Sequence, residues 1–268
     1  MLGESYVDSM AAREWVRGLG QTFEVFDQQD SGNVAYGVDR GHDRVFVKCA
    51  TTPSAVAGLE RAARLHGDVA HPALVAPTAL IRFADGQAAL VFPWYDGTVL
   101  YPATKLGRAI RTHPDGPWVR FRALPQQRAY DAIEALLDVH LAITAAGYVA
   151  VDLYDGCLLY DFHNHRLRLV DLDEYRPGPF TLEADRLPGS TRFMAPEEFR
   201  RGATIDTRTT VYALGRAIRL LLDATDVELQ WRGTEPQLAV VTQATRTDPD
   251  ERYADVPALM KAWHSAAH

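Results

Sequence analysis

Two aspartates near the middle of this 268-residue chain lie at the two chain ends of one predicted β-hairpin. Asp152 stands in the run VAVDLYDGCLLYD, and Asp171 follows the run RLRLV. Two short apolar runs separated by turn-forming residues are typical of paired strands. The hairpin would let both carboxylates face one cleft. Phosphoryl transfer needs such a pair, because one acid orients a hydroxyl and accepts its proton while the other holds Mg²⁺ against the phosphates.

A nine-residue run downstream supports this chemistry. Residues 189–197 read GSTRFMAPE, and protein kinases carry a GT-x-x-Y-x-APE run after the catalytic loop HRDLxxxxN and the DFG motif. Over nearly its whole length the chain resembles the eukaryotic-like (Ser/Thr) protein kinases. Asp152 takes the place of the catalytic-loop aspartate, Asp171 that of the DFG aspartate, and Asp173 that of the DFG glycine.

The resemblance implies a fold and an activity. The implied fold is α+β and bilobal, with a small β-rich N-lobe over residues 1–93 and a larger helical C-lobe over residues 94–268, together forming one kinase-like domain. The implied activity is transfer of the γ-phosphoryl group of Mg·ATP to a hydroxyl. Arg252 resembles the late arginine that pairs with the APE glutamate, which predicts an ion pair with Glu197.

Residues 23–50 predict a three-stranded antiparallel meander, with strands FEVF, NVAYGV and RVFVKCA. Lys48, in the third strand, resembles the lysine that grips the nucleotide phosphates. A buried lysine needs a partner. Glu60 resembles that partner, on a helix that Thr52 would cap and Pro53 would begin.

Further residues fall where the family contacts the nucleotide. Gly32 fits the third glycine of the GxGxxGxV pattern, and Val34 marks the end of that pattern. Phe46 stands where the family has an alanine against adenine. In the segment LVFPWYDG, which resembles the hinge between lobes, Val91 would be the gatekeeper and Trp94 an aromatic wall.

The sequence leaves one ligand of the predicted metal site unassigned. Asp171 would hold Mg²⁺, but Cys157 stands at the position of the family's second metal ligand, an asparagine. A thiol is a poor ligand for Mg²⁺, which prefers hard oxygen donors. Either Asp173 or Asp155 could supply the missing oxygen.

Departures from the family pattern keep two alternatives to a protein kinase open. Asp27 and Gln29 replace the first two glycines, Phe46 would partly fill the nucleotide slot, and Tyr154 replaces a lysine that neutralises the phosphoryl group. These changes favour a pseudokinase that acts as a binding or regulatory scaffold. The pattern Asp171-x-Asp173 instead resembles small-molecule kinases of the aminoglycoside and choline phosphotransferase type.

Regulation by phosphorylation is not expected. Val151 replaces the arginine that binds an activation-loop phosphate in kinases of the switched type. The sequence therefore predicts that Thr181, Ser190 and Thr191 do not serve as phosphorylation switches.

The C-terminal part predicts three helices and a basic cluster. The helices cover residues 125–147, 207–224 and 255–267, and each carries an apolar stripe at helical spacing. The stripes comprise Ala132, Leu136, Val139 and Ile143; Val211, Leu214, Ile218 and Leu221; and Leu259 with Trp263. The basic cluster, either a surface for an acidic substrate or partner or simply a solvated face, comprises Lys105, Arg108, Arg111, Arg120 and Arg122.

Composition excludes several classes of function. The formal net charge of -7 argues against a general nucleic-acid binder. The two cysteines, Cys49 and Cys157, form neither a metal motif nor a disulfide framework. No signal peptide is visible, and no apolar run reaches the roughly 18 residues of a membrane span. We therefore expect a cytoplasmic protein whose partner is a protein or small-molecule hydroxyl substrate or, in the scaffold alternative, a regulatory protein.

Overall fold

The computed structural model describes residues 2–7, 11–27 and 33–266. It is a mixed α+β structure that divides into two compact units. Unit 1 comprises Met1–Ala70, Leu74–Asp96 and Ala103–Lys105. Unit 2 comprises His71–Ala73, Gly97–Pro102 and Leu106–His268. The sequence predicts a boundary between the lobes after residue 93. In the structure, the part of unit 1 that begins at Leu74 ends at Asp96.

Six strands of the described residues form the sheet of unit 1, in the order β1-β5-β6-β4-β3-β2. The strands are β1 (Gly3–Val7), β2 (Gln21–Phe26), β3 (Asn33–Asp39), β4 (Arg44–Ala50), β5 (Ala79–Phe83) and β6 (Ala88–Pro93). β1 pairs with β5 in parallel, and the remaining neighbours are antiparallel. The predicted meander is confirmed as β2-β3-β4.

Helices cover both faces of this sheet. On one face, α1 (Ala12–Leu19) packs with Val45, Val47 and Cys49 of β4. On the other face, α2 (Pro53–Asp68) packs with Ala50 and Leu90. The predicted cap of α2 is confirmed, since the Thr52 hydroxyl accepts a hydrogen bond from the Ala55 N–H at 3.3 Å.

The described residues of unit 2 contain five α-helices: α3 (Pro117–Arg122), α4 (Gln126–Ala145), α5 (Thr207–Leu221), α6 (Glu235–Ala244) and α7 (Val256–Ser265). The three predicted helices are confirmed as α4, α5 and α7, and every residue of their apolar stripes is buried. Gly147 follows α4 with a φ of 83°, the left-handed conformation in which a glycine commonly ends a helix. No helix among the described residues combines the length and apolarity needed to cross a membrane.

Short strands and 3₁₀ turns connect these helices. The strands are β7 (Thr98–Val99), β8 (Tyr148–Val149), β9 (Leu158–Asp161), β10 (Arg166–Leu169), β11 (Arg176–Pro177), β12 (Phe180–Thr181) and β13 (Thr204–Ile205). The 3₁₀ turns cover Gly107–Arg111, Asp155–Cys157, Pro196–Phe199 and Pro249–Glu251. β9 and β10 form the predicted hairpin, with Asp161 opposite Arg166.

Candidate functional site

The two aspartates flank the hairpin of unit 2 in an unusual backbone conformation. Asp152 has a φ of 61° and Asp171 a φ of 62°. Both are therefore left-handed, which costs an L-residue other than glycine about 1–2 kcal/mol. Both side chains are partly accessible to solvent. Strained residues of this kind cluster at functional sites, so the conformation supports the choice of these two acids from the sequence.

Cys157 connects the main chain of both aspartates. Its thiol lies 3.3 Å from the carbonyl oxygen of Asp152 and 3.9 Å from that of Asp171. The residue is fully buried, and a thiol is a weak hydrogen-bond donor. The structure therefore gives Cys157 a role in holding the two acids, in place of the metal-ligand role considered from the sequence.

The metal role considered for Asp155 is not supported either. Asp155 is fully buried, and Arg111 binds both of its carboxylate oxygens, at 2.8 and 2.9 Å. The indole N–H of Trp118 donates to the same carboxylate at 2.8 Å. A carboxylate enclosed by three such donors stabilises the loop after Asp152 and is not open to a metal ion.

The predicted basic cluster is only partly a surface. Arg111 is committed to Asp155, and Arg122 pairs with Asp226 at 3.1 Å while its guanidinium stacks on Trp118. Lys105, Arg108 and Arg120 are exposed. Burial of two of its five members in internal ion pairs weakens the interpretation of this cluster as an anion-binding surface.

Thr210 is a supporting residue that sequence reasoning missed as such. It is fully buried on α5, and its hydroxyl accepts a hydrogen bond from the N–H of Ala150 at 3.0 Å. The contact fixes the main chain two residues before Asp152. The protein kinases that the sequence resembles have an aspartate at the corresponding position, and a hydroxyl, like a carboxylate, can accept a hydrogen bond.

The predicted ion pair between Glu197 and Arg252 is confirmed. Two hydrogen bonds join them, at 2.7 and 2.8 Å, and both side chains are buried. The Thr209 hydroxyl donates to the same carboxylate at 2.8 Å. Burial alone would raise the pKa of Glu197, but hydrogen bonds led by those of Arg252 hold that pKa below its usual value. The pair anchors the end of the 189–197 segment.

The next residue, Glu198, is a second buried acid. Its carboxylate accepts a hydrogen bond from the N–H of Ala195 at 2.6 Å. Burial raises the pKa of Glu198 to about 8, and the neighbouring charges of Glu197 and Asp152 act in the same direction. At neutral pH this group is therefore mostly a neutral carboxylic acid.

This acid predicts a pH-dependent stability. The unfolded carboxyl ionises near 4.5 and the folded one near 8, so the folded state holds the extra proton between these values and loses stability as pH rises through this window. Glu198→Gln should remove that loss and stabilise the protein by about 2–4 kcal/mol at pH 8.5, with little effect at pH 5. Urea unfolding at both pH values measures this, with exposed Glu183→Gln as control. Equal effects of Glu198→Gln at the two pH values would refute the assignment.

Tyr154 lies where the family has a lysine, and its phenol is largely buried. The ring covers Gly156 so closely that a Cβ at Gly156 would lie 2.3 Å from it. Burial raises the pKa of Tyr154, and the charges of Asp171 and Asp152 also favour its neutral form. Tyr154 therefore stays a neutral hydroxyl and cannot supply the positive charge of a lysine.

In unit 1, the register of the sheet decides which residues share a face with Lys48. Lys48 lies opposite Ala35 of β3 and Leu90 of β6, so these three side chains point to one face. Val34 and Val91 alternate with them and point to the opposite face, where they pack with the α1 core. The sequence-based assignments of Val34 and Val91 to the nucleotide site are therefore wrong.

Aromatic side chains cover the rest of the Lys48 face. The ring centroid of Phe46 lies 5.7 Å from that of Phe26 and 6.2 Å from that of Phe92. Trp94 packs edge-on against Phe23 at 4.8 Å, and both rings lie over Gly37, where a Cβ would come within 3.0 Å of them. Phe46 thus lies on the same face as Lys48, opposite Gly37 and Phe92, and its predicted filling of a nucleotide slot stays a prediction.

Main-chain donors are scarce on the strand end next to this surface. Pro93 has no N–H, and the N–H of Trp94 donates to the carbonyl of Arg44 at 2.9 Å within the sheet. Neither residue therefore offers an N–H to a ligand. The ring of Trp94 lies over Gly37, and its role as an aromatic wall stays a prediction.

Lys48 and Glu60 are placed on β4 and α2. Lys48 is only 6% exposed. The carboxylate of Glu60 forms an ion pair with the guanidinium of Arg82 on β5. Because Glu60 already has this partner, the pairing of Lys48 with Glu60 stays a prediction.

The remaining predicted ligands are Asp171, Asp173 and Gly32. Asp171 and Asp173 are partly accessible carboxylates two residues apart, and carboxylate oxygens suit Mg²⁺. Among the described residues, no three His, Cys, Asp or Glu side chains form a complete metal site. Mg²⁺ commonly takes only one or two carboxylates and fills its coordination with phosphate oxygens and water, so two acids fit it. Gly32 lies outside the described residues.

Comparison with known proteins does not assign the chain to a family. No model of a protein family matches it, and no curated protein matches it significantly.

Proposed function

We propose that this chain is an ATP-dependent phosphotransferase with the bilobal fold of protein kinases, acting on a hydroxyl of a protein or small molecule. The observation that carries the proposal is the arrangement of Asp152 and Asp171 around Cys157. Two accessible carboxylates, both held in a costly left-handed backbone conformation and tied by one buried thiol, are hard to explain as loop charges. The buried pair of Glu197 and Arg252 adds support.

Each residue has a role in this proposal. Asp152 orients the substrate hydroxyl and accepts its proton. Lys48 binds phosphate oxygens, with Glu60 as the residue proposed to orient it. Asp171 and Asp173 would hold Mg²⁺, which when bound neutralises negative charge on the phosphates of ATP. Tyr154, a neutral hydroxyl, can donate one hydrogen bond where the family uses a cation.

A scaffold without transfer, that is a pseudokinase, is the second candidate. The aromatic cover of the Lys48 face favours it, because Phe46 and its neighbours occupy an apolar surface on which a base would otherwise stack. The main chain also favours the scaffold, because Pro93 has no N–H and the N–H of Trp94 is already bonded to the carbonyl of Arg44. These features concern the base, whereas the carboxylates of Asp171 and Asp173 fit the metal and phosphates.

Calorimetry of Mg·ATP binding separates the two candidates. The phosphotransferase should bind Mg·ATP with a Kd between about 1 µM and 1 mM, and Lys48→Ala should abolish the binding heat. Lys261→Ala, an exposed lysine on α7, is the matched control and should bind normally.

The opposite results are equally informative. If the wild-type chain binds no Mg·ATP while Phe46→Ala does, the aromatic surface closes the site and the scaffold is the better description. If neither binds, the assignment of Lys48 to phosphate is wrong.

A further inference from the structure

The segment 189–197 runs directly past the carboxylate of Asp152. A Cβ built on Gly189 would lie 3.5 Å from Oδ1 of Asp152 and 3.1 Å from the sulfur of Met194. Gly189 also has a φ of 145°, which disfavours other residues. The position of this segment therefore decides what space is open in front of Asp152.

Arg192 attaches the segment to the loop that follows α5. Its guanidinium donates to Oδ1 of Asp226 at 2.8 Å, to the main-chain carbonyl of the same residue, and to Glu228 at 3.4 Å. Arg216 of α5 donates to the carbonyl of Arg192 at 2.9 Å and binds Glu228 at 2.6 Å. Arg192 is thus held through both its side chain and its main chain.

The receiving loop is itself rigidly built. Asp223 is fully buried, and its carboxylate accepts hydrogen bonds from the Thr225 N–H at 2.9 Å and from Arg219 at 2.7 Å. The carbonyl of Glu228 accepts a further hydrogen bond from Arg219. The loop that carries Asp226 and Glu228 is therefore held by contacts that do not involve Arg192.

The same loop is connected to the chain that follows Asp152. Asp226 also pairs with Arg122 at 3.1 Å, and Arg122 stacks on Trp118 at 4.7 Å. Trp118 donates to Asp155, three residues after Asp152. Asp226 thus binds Arg192 of segment 189–197 and also Arg122. Through Trp118, Arg122 is connected to the chain that follows Asp152.

We propose that Arg192 is a positioning residue that holds segment 189–197 in its working place against Asp152 through Asp226 and Glu228, so that no phosphorylation of the chain is needed. This inference rests on the proposed function and concerns the regulation of the same site. Phosphorylation orders such segments by pairing a phosphate with arginine. Here the carboxylates of Asp226 and Glu228 already bind Arg192, the arginine of the segment.

The first test measures amide hydrogen–deuterium exchange and needs no activity. Arg192→Met should raise exchange about tenfold or more at the amides of Leu187, Phe193 and Met194, which are hydrogen-bonded within or next to the segment. Peptides from α4 should be unchanged. Arg201→Met is the matched control, because Arg201 pairs with Asp185 on the surface, where both side chains are more than half exposed.

The second test uses transfer by phosphatase-treated protein whose unphosphorylated state is verified by mass spectrometry. The treated protein should keep full activity and unchanged exchange. Arg192→Met should lower kcat about tenfold or more with the KM for Mg·ATP within about twofold, and Arg192→Lys should recover only part, since lysine lacks the guanidinium fork.

The outcomes separate this inference from the proposed function. Absence of transfer in every variant would refute the phosphotransferase, while the exchange data would still decide the role of Arg192. Exchange in Arg192→Met equal to that in Arg201→Met would overturn the positioning role. Faster exchange or lost transfer after phosphatase treatment would overturn the independence from phosphorylation.

Discussion

Asp152→Asn is expected to lower kcat for phosphoryl transfer by about 10³-fold, within the range of about 10²–10⁴ that general acid–base groups contribute. The amide has nearly the shape of the carboxylate, but it cannot accept the hydroxyl proton. The KM for Mg·ATP should change little, because the proposal assigns nucleotide binding to Lys48 and Asp171. Radiometric transfer to hydroxyl-bearing proteins and small metabolites measures the effect.

Two further variants make this experiment specific. Asp185→Asn changes an exposed acid of the same chain region and should leave transfer unaffected. Asp171→Asn should also lower transfer, but through weaker binding of Mg²⁺, so that part of the loss is recovered at high Mg²⁺ concentration. Full activity of Asp152→Asn would show that the proton acceptor is a different group.

Arg252→Met is expected to lower the free energy of unfolding by about 3–5 kcal/mol, the usual cost of removing one partner of a buried ion pair. The reason is that Glu197 would remain buried with its charge after losing both hydrogen bonds from Arg252. Replacing both partners, in Glu197→Met with Arg252→Met, should recover much of this loss, because no uncompensated charge stays behind.

Urea unfolding monitored by circular dichroism measures both variants. Arg201→Met removes a surface ion pair and should cost less than about 1 kcal/mol. Since the pKa of Glu197 is held below its usual value, the stability that the pair contributes is present above the unfolded pKa. It is lost as pH falls through the folded pKa, so Arg252→Met should differ least from wild type in acid. A loss no larger than that of Arg201→Met would contradict this account.

The elements with strong periodic signals could be predicted from the sequence. α4, α5 and α7 follow from their apolar stripes, and β2-β3-β4 from alternating strands between turns. By contrast, β1 and α1 were not predicted, because β1 is a short exposed edge strand and α1 is a helix of eight residues. Segments this short carry too little pattern to be recognised without the sheet on which they pack.

Predictions about the site were confirmed where a motif specified several residues together. They were wrong where the face of a side chain depended on the exact register of a strand. The pairing of Glu197 with Arg252 followed from two separate motifs. Val34 and Val91 were assigned to the wrong face, because shifting a strand by one residue moves every side chain to the other side of the sheet. The role of Asp155 depended on Arg111, which stands 44 residues away in the chain and cannot be paired with it from local sequence.

The left-handed backbone at Asp152 and Asp171 has an evolutionary consequence. Glycine would adopt that conformation without the steric cost paid by aspartate. Selection for a more stable protein alone would therefore drive both positions toward glycine, and a directed-evolution experiment that rewards only heat resistance should tend to lose them. Two aspartates at positions with a left-handed backbone are what selection for chemistry, opposing selection for stability, would leave behind.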